Sequence, residues 1–201
     1  MAHRFRGFLP VVIDIETGGF DAGSHAVLEL GAISLNWHHD RLIIEDRWVW
    51  SVEPYAGGLL DPASLKITGI DPTDPARGAV SEIEMLRDFF SKVRANVKRH
   101  SCQRAIMVAH NAAFDQQFLH TMVDRTSVKR DPFHPFSFID TASLAAVTYG
   151  HTVLSEICKR AGIEFDADRA HGALYDAERT ADVFCHIVNA WGPLPEFDSD
   201  D

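Results

Sequence analysis

Leu9-Pro10-Val11-Val12-Ile13-Asp14-Ile15-Glu16-Thr17-Gly18-Gly19 is an apolar, largely β-branched run that closes on two carboxylates and two glycines. Such a run reads as a buried strand from Val11 to Ile15, with the glycines ending it. Residues i and i+2 of a strand point to the same face, so Asp14 and Glu16 project together from the end of a hydrophobic element. Two like charges held side by side there are costly unless something positive lies between them. No Lys or Arg occurs between Arg6 and Arg41. A divalent cation is the economical partner, although acids at strand ends are often simply solvated, and the pair alone does not decide the matter.

Two further segments do. Ala105-Ile106-Met107-Val108-Ala109 reads as another buried strand, and His110-Asn111-Ala112-Ala113-Phe114-Asp115 leads from it into a helix carrying Phe118, Leu119 and Met122. That helix is expected over Ala112–Arg125, with Asp115 in its first turn, where a carboxylate is also favoured by the helix dipole alone. The third segment is His171-Gly172-Ala173-Leu174-Tyr175-Asp176, opening a helix expected to reach Trp191 through Val183, Phe184, Ile187 and Val188. Positions five apart do not share a helix face, so His171 meets Asp176 only if it lies on the loop leading in.

The remaining chain reads as strands interleaved with helices. Val27–Trp37 and Leu42–Val52 alternate as two more strands around His38-His39-Asp40, making a three-stranded meander with the first. Ser81-Glu82-Ile83-Glu84 is a capping-box start for a helix whose apolar positions are Ile83, Leu86, Phe89, Phe90, Val93 and Val97. A short strand is expected at Phe136–Ile139, and helices at Thr141–Thr148 and Val153–Ala161. This order argues for an α/β fold, a mixed sheet flanked by helices on both faces. The expected division is one domain over residues 1–192 and an acidic C-terminal tail over 193–201.

Composition is that of an ordinary soluble protein of 201 residues, 46% hydrophobic and 24% charged, which suits one domain with a sizeable core. No apolar stretch is long enough to cross a membrane, and no signal-peptide apolar region follows Met1-Ala2-His3-Arg4. Three cysteines without Cys-x-x-Cys spacing read as free thiols, hence a cytoplasmic location. The net charge of −10 is at odds with a polyanionic partner, but residues 92–130 carry eight basic side chains (Lys92, Arg94, Lys98, Arg99, Arg104, Arg125, Lys129, Arg130) against two acids. A local basic face on an acidic body suffices to capture phosphates.

Taken together, the three acidic segments resemble the three motifs of the DEDD superfamily of 3′→5′ exonucleases, which have a ribonuclease-H-like exonuclease fold. His171, four residues, then Asp176 matches the histidine subtype; the position where the tyrosine subtype places Tyr is Gly172. Longer strings are similar to the ribonuclease T family within it: Arg4-Phe5-Arg6-Gly7-Phe8, Thr68-Gly69-Ile70-Asp71-Pro72, Arg104 to Asn111, Lys129-Arg130-Asp131-Pro132-Phe133-His134-Pro135-Phe136, and Gly150-His151-Thr152-Val153-Leu154. The resemblance spans Arg4 to Trp191.

It implies a Mg²⁺-dependent exoribonuclease that trims the 3′ ends of tRNA, rRNA precursors and other stable RNA by two-metal hydrolysis. Asp14, Glu16, Asp115 and Asp176 would hold two Mg²⁺ per active site, with Asp14 bridging the ions and Asp115 acting through water. His171 would take the proton from the attacking water. Phe20, Phe114 and Phe136 match stacking aromatics of the family, while core packing is the ordinary role of most of the thirteen Phe. Arg4, Arg6, Lys98, Arg104 and Lys129 match an RNA-binding patch that, in the family, serves the active site of the other subunit of a homodimer. Ala63 and Ile67 stand where the family commonly has Glu and Phe, so the 3′-terminal base preference is left open by the sequence. Two readings compete: a DNA-directed exonuclease of proofreading or repair type acting on single-stranded DNA 3′ ends, and a catalytically silent RNA-binding protein. Retention of four acids and the histidine argues against the second, since an inert site has no use for five converging polar groups.

Overall fold

The computed structural model describes residues 4–192; the expected acidic tail lies outside the described residues. Five strands form one sheet in the order β3-β2-β1-β4-β5: β1 Phe8–Thr17, β2 Val27–His38, β3 Arg41–Ser51, β4 Arg104–Ala109 and β5 Phe133–Asp140. β1, β2 and β3 form the expected antiparallel meander, and β4 and β5 run parallel to β1. The helices are α1 Pro62–Thr68, α2 Glu82–Arg99, α3 Ala113–Thr126, α4 Thr141–Tyr149, α5 Leu154–Ala161 and α6 Ala173–Trp191. No helix among the described residues is long and apolar enough to cross a membrane.

The alternation of β1 divides the core in two. Leu9, Val11, Ile13 and Ile15 are buried with Leu86, Phe89, Phe90 and Val93 of α2 and Phe118, Leu119 and Met122 of α3. On the other face, Val12 packs with Ala177, Ala181 and Phe184 of α6. Asp14 and Glu16 follow Val12 at the strand period and so turn toward α6.

Helix α2 starts as its sequence dictates: the Ser81 hydroxyl accepts from the Glu84 N–H, and the Glu84 carboxylate accepts from the Ser81 N–H. Its buried stripe, however, is Met85, Leu86, Phe89, Phe90 and Val93, while Ile83 is exposed. In the first turn the capping box fixes the rotation, and Glu82 rather than Ile83 turns inward to pair with Arg125 at 2.7 Å. β5 is longer than expected and irregular. Its register to β4 jumps from Ala105↔Phe133 to Met107↔Phe138, leaving residues 134–137 bulged out around Phe136. Helix α1 is an element that hydrophobic periodicity does not reveal: Asp61 caps it, Pro62 fills its first turn, and Gly69 closes it in the left-handed conformation.

Candidate active site

The acids converge where the sheet geometry sends them. β1 ends in Asp14 and Glu16; α3 and α6 begin beside that end and contribute Asp115 and Asp176 from their first turns. Donor atoms of Glu16, His171 and Asp176 lie within 4.8 Å of one another. Asp115 is buried, and its Oδ1 accepts the N–H of Ile15 at 3.0 Å, which ties α3 to the strand between its two carboxylates. His171 is exposed, has φ +64, and donates its backbone N–H to Asp176 Oδ2 at 3.0 Å. The loop leading into α6 thus carries the imidazole back to the acid five residues on.

The electrostatics are those of an acidic cluster held out of water. Burial first, then the charges of Asp115, Glu16, Asp176 and Glu29, push Asp14 well above the usual carboxylate range. Glu16 is pushed up to about 8 by burial and by Asp176, Glu29 and Asp115. Asp115 also rises to about 8, chiefly through burial, against the opposing pull of its backbone hydrogen bonds. Burial raises Asp176 as well, and the His171 N–H opposes that rise. Every charge acting on Asp14 is a carboxylate. Asp176 Oδ1 is buried with no hydrogen-bond partner. An orphaned carboxylate oxygen within a cluster of acids fits a hard divalent cation, which satisfies the lone pair and cancels the repulsion on Asp14 and Glu16.

Two residues of the site escaped sequence reading. Glu29 of β2 stands directly opposite Glu16 in the strand register, and its Oε2 accepts the Ala173 N–H at 2.9 Å. Asp140, at the end of β5, accepts from the N–H groups of Asn111, Ala112, Ala142 and Ser143, as well as from the Ser143 hydroxyl. It thereby caps α4 and holds the turn into α3, which sets Asp115. His110, in the same turn, donates Nε2–H to the Thr152 carbonyl at 2.8 Å and meets the Thr141 hydroxyl through Nδ1 at 2.9 Å. Burial lowers its pKa and keeps it neutral at pH 7.

The expected RNA-contacting residues separate into two groups. Phe20 is 78% exposed and meets half-buried Phe114 edge-on at 6.4 Å, beside the acids. Phe136, 77% exposed, is not with them. Its ring stands across His134 at 4.5 Å, and His134 meets Phe8 at 5.3 Å, at the opposite end of β1. Arg104 pairs with Phe8 in the sheet and lines three neighbouring clefts, one with Phe8 and His134 and another with Arg94, Lys98 and Arg130. The guanidinium of Arg6 lies 5.3 Å from the Phe8 ring, and exposed Lys129 precedes Arg130 in the loop after α3. Arg4 is engaged otherwise: it donates to the Gly192 carbonyl and lies over Phe5 and Trp37. A cleft of about 810 Å³ between β3 and α6 is lined by none of the five converging residues.

Comparison with known structures defines the class. The chain superposes on the nuclease domain of 3′hExo, described as a DEDDh family member bound to rAMP, with TM-score 0.72 over 93% of this chain and 94% of that one, at 20% identity. It also superposes on Escherichia coli exonuclease I in complex with a dT13 oligonucleotide, with TM-score 0.71 over 90% of this chain and 41% of that one, again at 20% identity. The fold is the ribonuclease-H-like fold of the DEDDh exonucleases. At closer range, a family model described as RNase_T exonuclease matches residues 11–184. The chain is 52% identical to ribonuclease T of Escherichia coli K12 over 96% of its length and 91% of the relative's, and 51% identical to that of Shewanella denitrificans over 96% and 85%. This chain belongs to the ribonuclease T exonuclease family, divalent-metal-dependent 3′→5′ exoribonucleases that hydrolyse phosphodiester bonds.

Proposed function

We propose that this enzyme trims the 3′ ends of tRNA, rRNA precursors and other stable RNA in the cytoplasm, with two Mg²⁺ in each active site. The observation that carries the reading is the convergence of Glu16, His171 and Asp176, whose donor atoms lie within 4.8 Å of one another, with Asp176 Oδ1 buried and unpartnered. Asp14, Glu16, Asp115 and Asp176 would hold the ions. When bound, these supply Lewis acidity that makes water nucleophilic and neutralises charge developing on the scissile phosphate. Carboxylates whose protons are held up to about pH 8 yield them to a cation at neutral pH, so metal and proton compete for the same oxygens. His171 takes the proton of the attacking water; its exposed position on the loop before α6 leaves the ring open to reach it. Phe20 and Phe114 stack the terminal bases without reading sequence, as an end-trimming enzyme requires.

The basic residues supply the argument for a homodimer. Arg104 and Phe8 are paired at the start of their strands, and Asp14 lies six residues further along β1. At about 3.3 Å per residue that is roughly 20 Å, too far for one phosphate to meet both. Arg6, Lys98, Arg104, Lys129 and the Phe136 bulge would therefore hold RNA bound for the active site of a second subunit, or the upstream stretch of a long strand.

Incubating the purified full chain with a 3′-overhang RNA and the matching DNA, with Mg²⁺ or with chelator, tests the function. Stepwise shortening of the RNA from its 3′ end, only with Mg²⁺, is expected. Cleavage that persists in chelator, or none at all, overturns the proposal; a strong preference for the DNA replaces its substrate.

A further inference from the structure

Strand β2 grips the start of α6 at two points. Glu29 Oε2 accepts the N–H of Ala173, the first residue of the helix, at 2.9 Å. Two residues along, on the same face of β2, Gly31 lies so close beneath this turn that a Cβ there would stand 2.3 Å from the Ala173 carbonyl oxygen and 2.6 Å from the Leu174 nitrogen. The residue preceding the helix is Gly172, which has no side chain to cap it. One of the amides left free in the first turn is thus satisfied from a strand 144 residues away in sequence.

From this contact a short chain of hydrogen bonds reaches Asp176 in α6 and His171 in the loop before it. The Asp176 N–H donates to the Gly172 carbonyl at 3.0 Å, and Asp176 Oδ2 accepts the His171 N–H at 3.0 Å. β2 in turn is locked to β1, with Glu29 directly opposite Glu16 and Gly31 opposite Asp14. A carboxylate opposite another carboxylate is an unfavourable cross-strand pair. At this position the repulsion is offset by a charge-assisted hydrogen bond to the positive end of a helix.

We propose that Glu29 is a positioning residue: it keys the first turn of α6, and with it Asp176 and the His171 loop, to the end of β1 that carries Asp14 and Glu16. This rests on the reading that those four residues act together in cleavage. Glu29 touches neither substrate nor metal in this role, and the hydrogen-bond acceptor, rather than its charge, is what the site requires.

The test compares Glu29→Ala, which removes the acceptor, with Glu29→Gln, which keeps it without the charge. Three readouts are used: kcat and KM on the 3′-overhang RNA, Mn²⁺ binding by calorimetry, and hydrogen exchange over residues 173–176. Glu29→Ala is expected to lower kcat and metal affinity by about 10–100-fold, the usual range for groups that orient metal ligands, with KM for RNA little changed. Exchange over the first turn of α6 should accelerate while α2 and β1 stay protected. Glu29→Gln should remain within a few-fold of wild type in all three. Should Glu29→Ala fail to fold, Glu29→Asp, which shortens the reach by one methylene, takes its place with the same expectation. Wild-type metal affinity and exchange in the acceptor-less variant overturn the proposal. So does a Gln variant as impaired as the Ala variant with residues 173–176 still protected, since Glu29 would then act through its charge. Exchange and metal binding need no RNA, so they decide the point even if the wild type proves not to cut RNA.

Discussion

The two ends of strand β1 are chemical opposites. One end presents Asp14 and Glu16 to Glu29, Asp115 and Asp176, a cluster in which the charges acting on Asp14 are all carboxylates. The other presents Phe8 beside Arg6, Arg104, His134 and Phe136. The acidic end on its own repels the polymer that the enzyme must cut, and the basic end on its own has nothing with which to cut it. Separating them keeps Lys and Arg from occupying the acids as ion-pair partners, which leaves those oxygens for cations, and makes capture and cleavage independently removable.

The largest effect is expected from the acidic end. Asp14→Asn should abolish turnover at saturating Mg²⁺ while leaving RNA binding within a few-fold of wild type by filter binding. Turnover at the wild-type rate would end the assignment of Asp14 as a ligand. His171→Ala should slow single-turnover cleavage by about 10²–10⁴-fold, again with RNA affinity retained, because a general base acts in the transition state. A variant that lost binding but cleaved normally would move His171 from the chemistry to the substrate cleft.

At the basic end, Arg104→Ala with Lys129→Ala should weaken RNA binding and lower the slope of log K against log salt by about one for each phosphate no longer neutralised. If the basic end serves a second subunit, mixing this variant with Asp14→Asn should restore activity, since one mixed dimer then joins an intact cluster to an intact patch. A mixture no more active than its components, despite subunit exchange shown by mass spectrometry, would leave each subunit serving itself. The aromatic residues sharpen the contrast. Phe114→Ala should weaken RNA binding by roughly 1–3 kcal/mol with the salt slope unchanged. In the mixing experiment, Phe136→Ala should behave as a lesion of the basic end, complemented by Asp14→Asn.

The acidic end should also govern the stability of the metal-free protein. Glu16 and Asp115 hold their protons to about pH 8 when folded and release them near pH 4 when unfolded. Between those values the folded state binds more protons, so stability should fall as pH rises from about 5 to about 8.5. Burial pushes Asp140 up, but its hydrogen bonds more than offset this and hold it below the ordinary range. It therefore works in the opposite sense, but only as pH falls below about 4. Thermal melts in chelator should show the decline, and excess Mg²⁺ at pH 8 should remove most of it. A melting temperature that is flat over this range, with and without metal, would show that the acids are not strained by their neighbours.

Much of this molecule is written locally. The alternation of Val11 to Glu16 set both the strand and the shared face of its two acids, and Ser81 with Glu84 set the start of α2. What escaped was short or distant. Helix α1 has seven residues, too few for an apolar period to show, although Asp61-Pro62 and Gly69 marked its ends. Ile83 matched the apolar spacing of α2, yet the Glu82–Arg125 pair turned it outward. Glu29 sits in an alternating strand like any half-exposed acid; its partner, Ala173, lies 144 residues on. Asp140 takes up amides 28 and 29 residues earlier in the chain.

The sequence by itself determined most of the elements, the candidate acids and histidine, and the family, because hydrophobic period, caps and motif spacing act over a few residues at a time. Only the tertiary structure decided which end of the sheet each group occupies. Parallel pairing of β1 with β4 brings Arg104 beside Phe8 and the start of α3 beside Asp14, and the bulge in β5 leaves Phe136 with the basic residues. Register and crossover are fixed by contacts between segments far apart in the chain, where burying one face of every strand leaves a single pairing open.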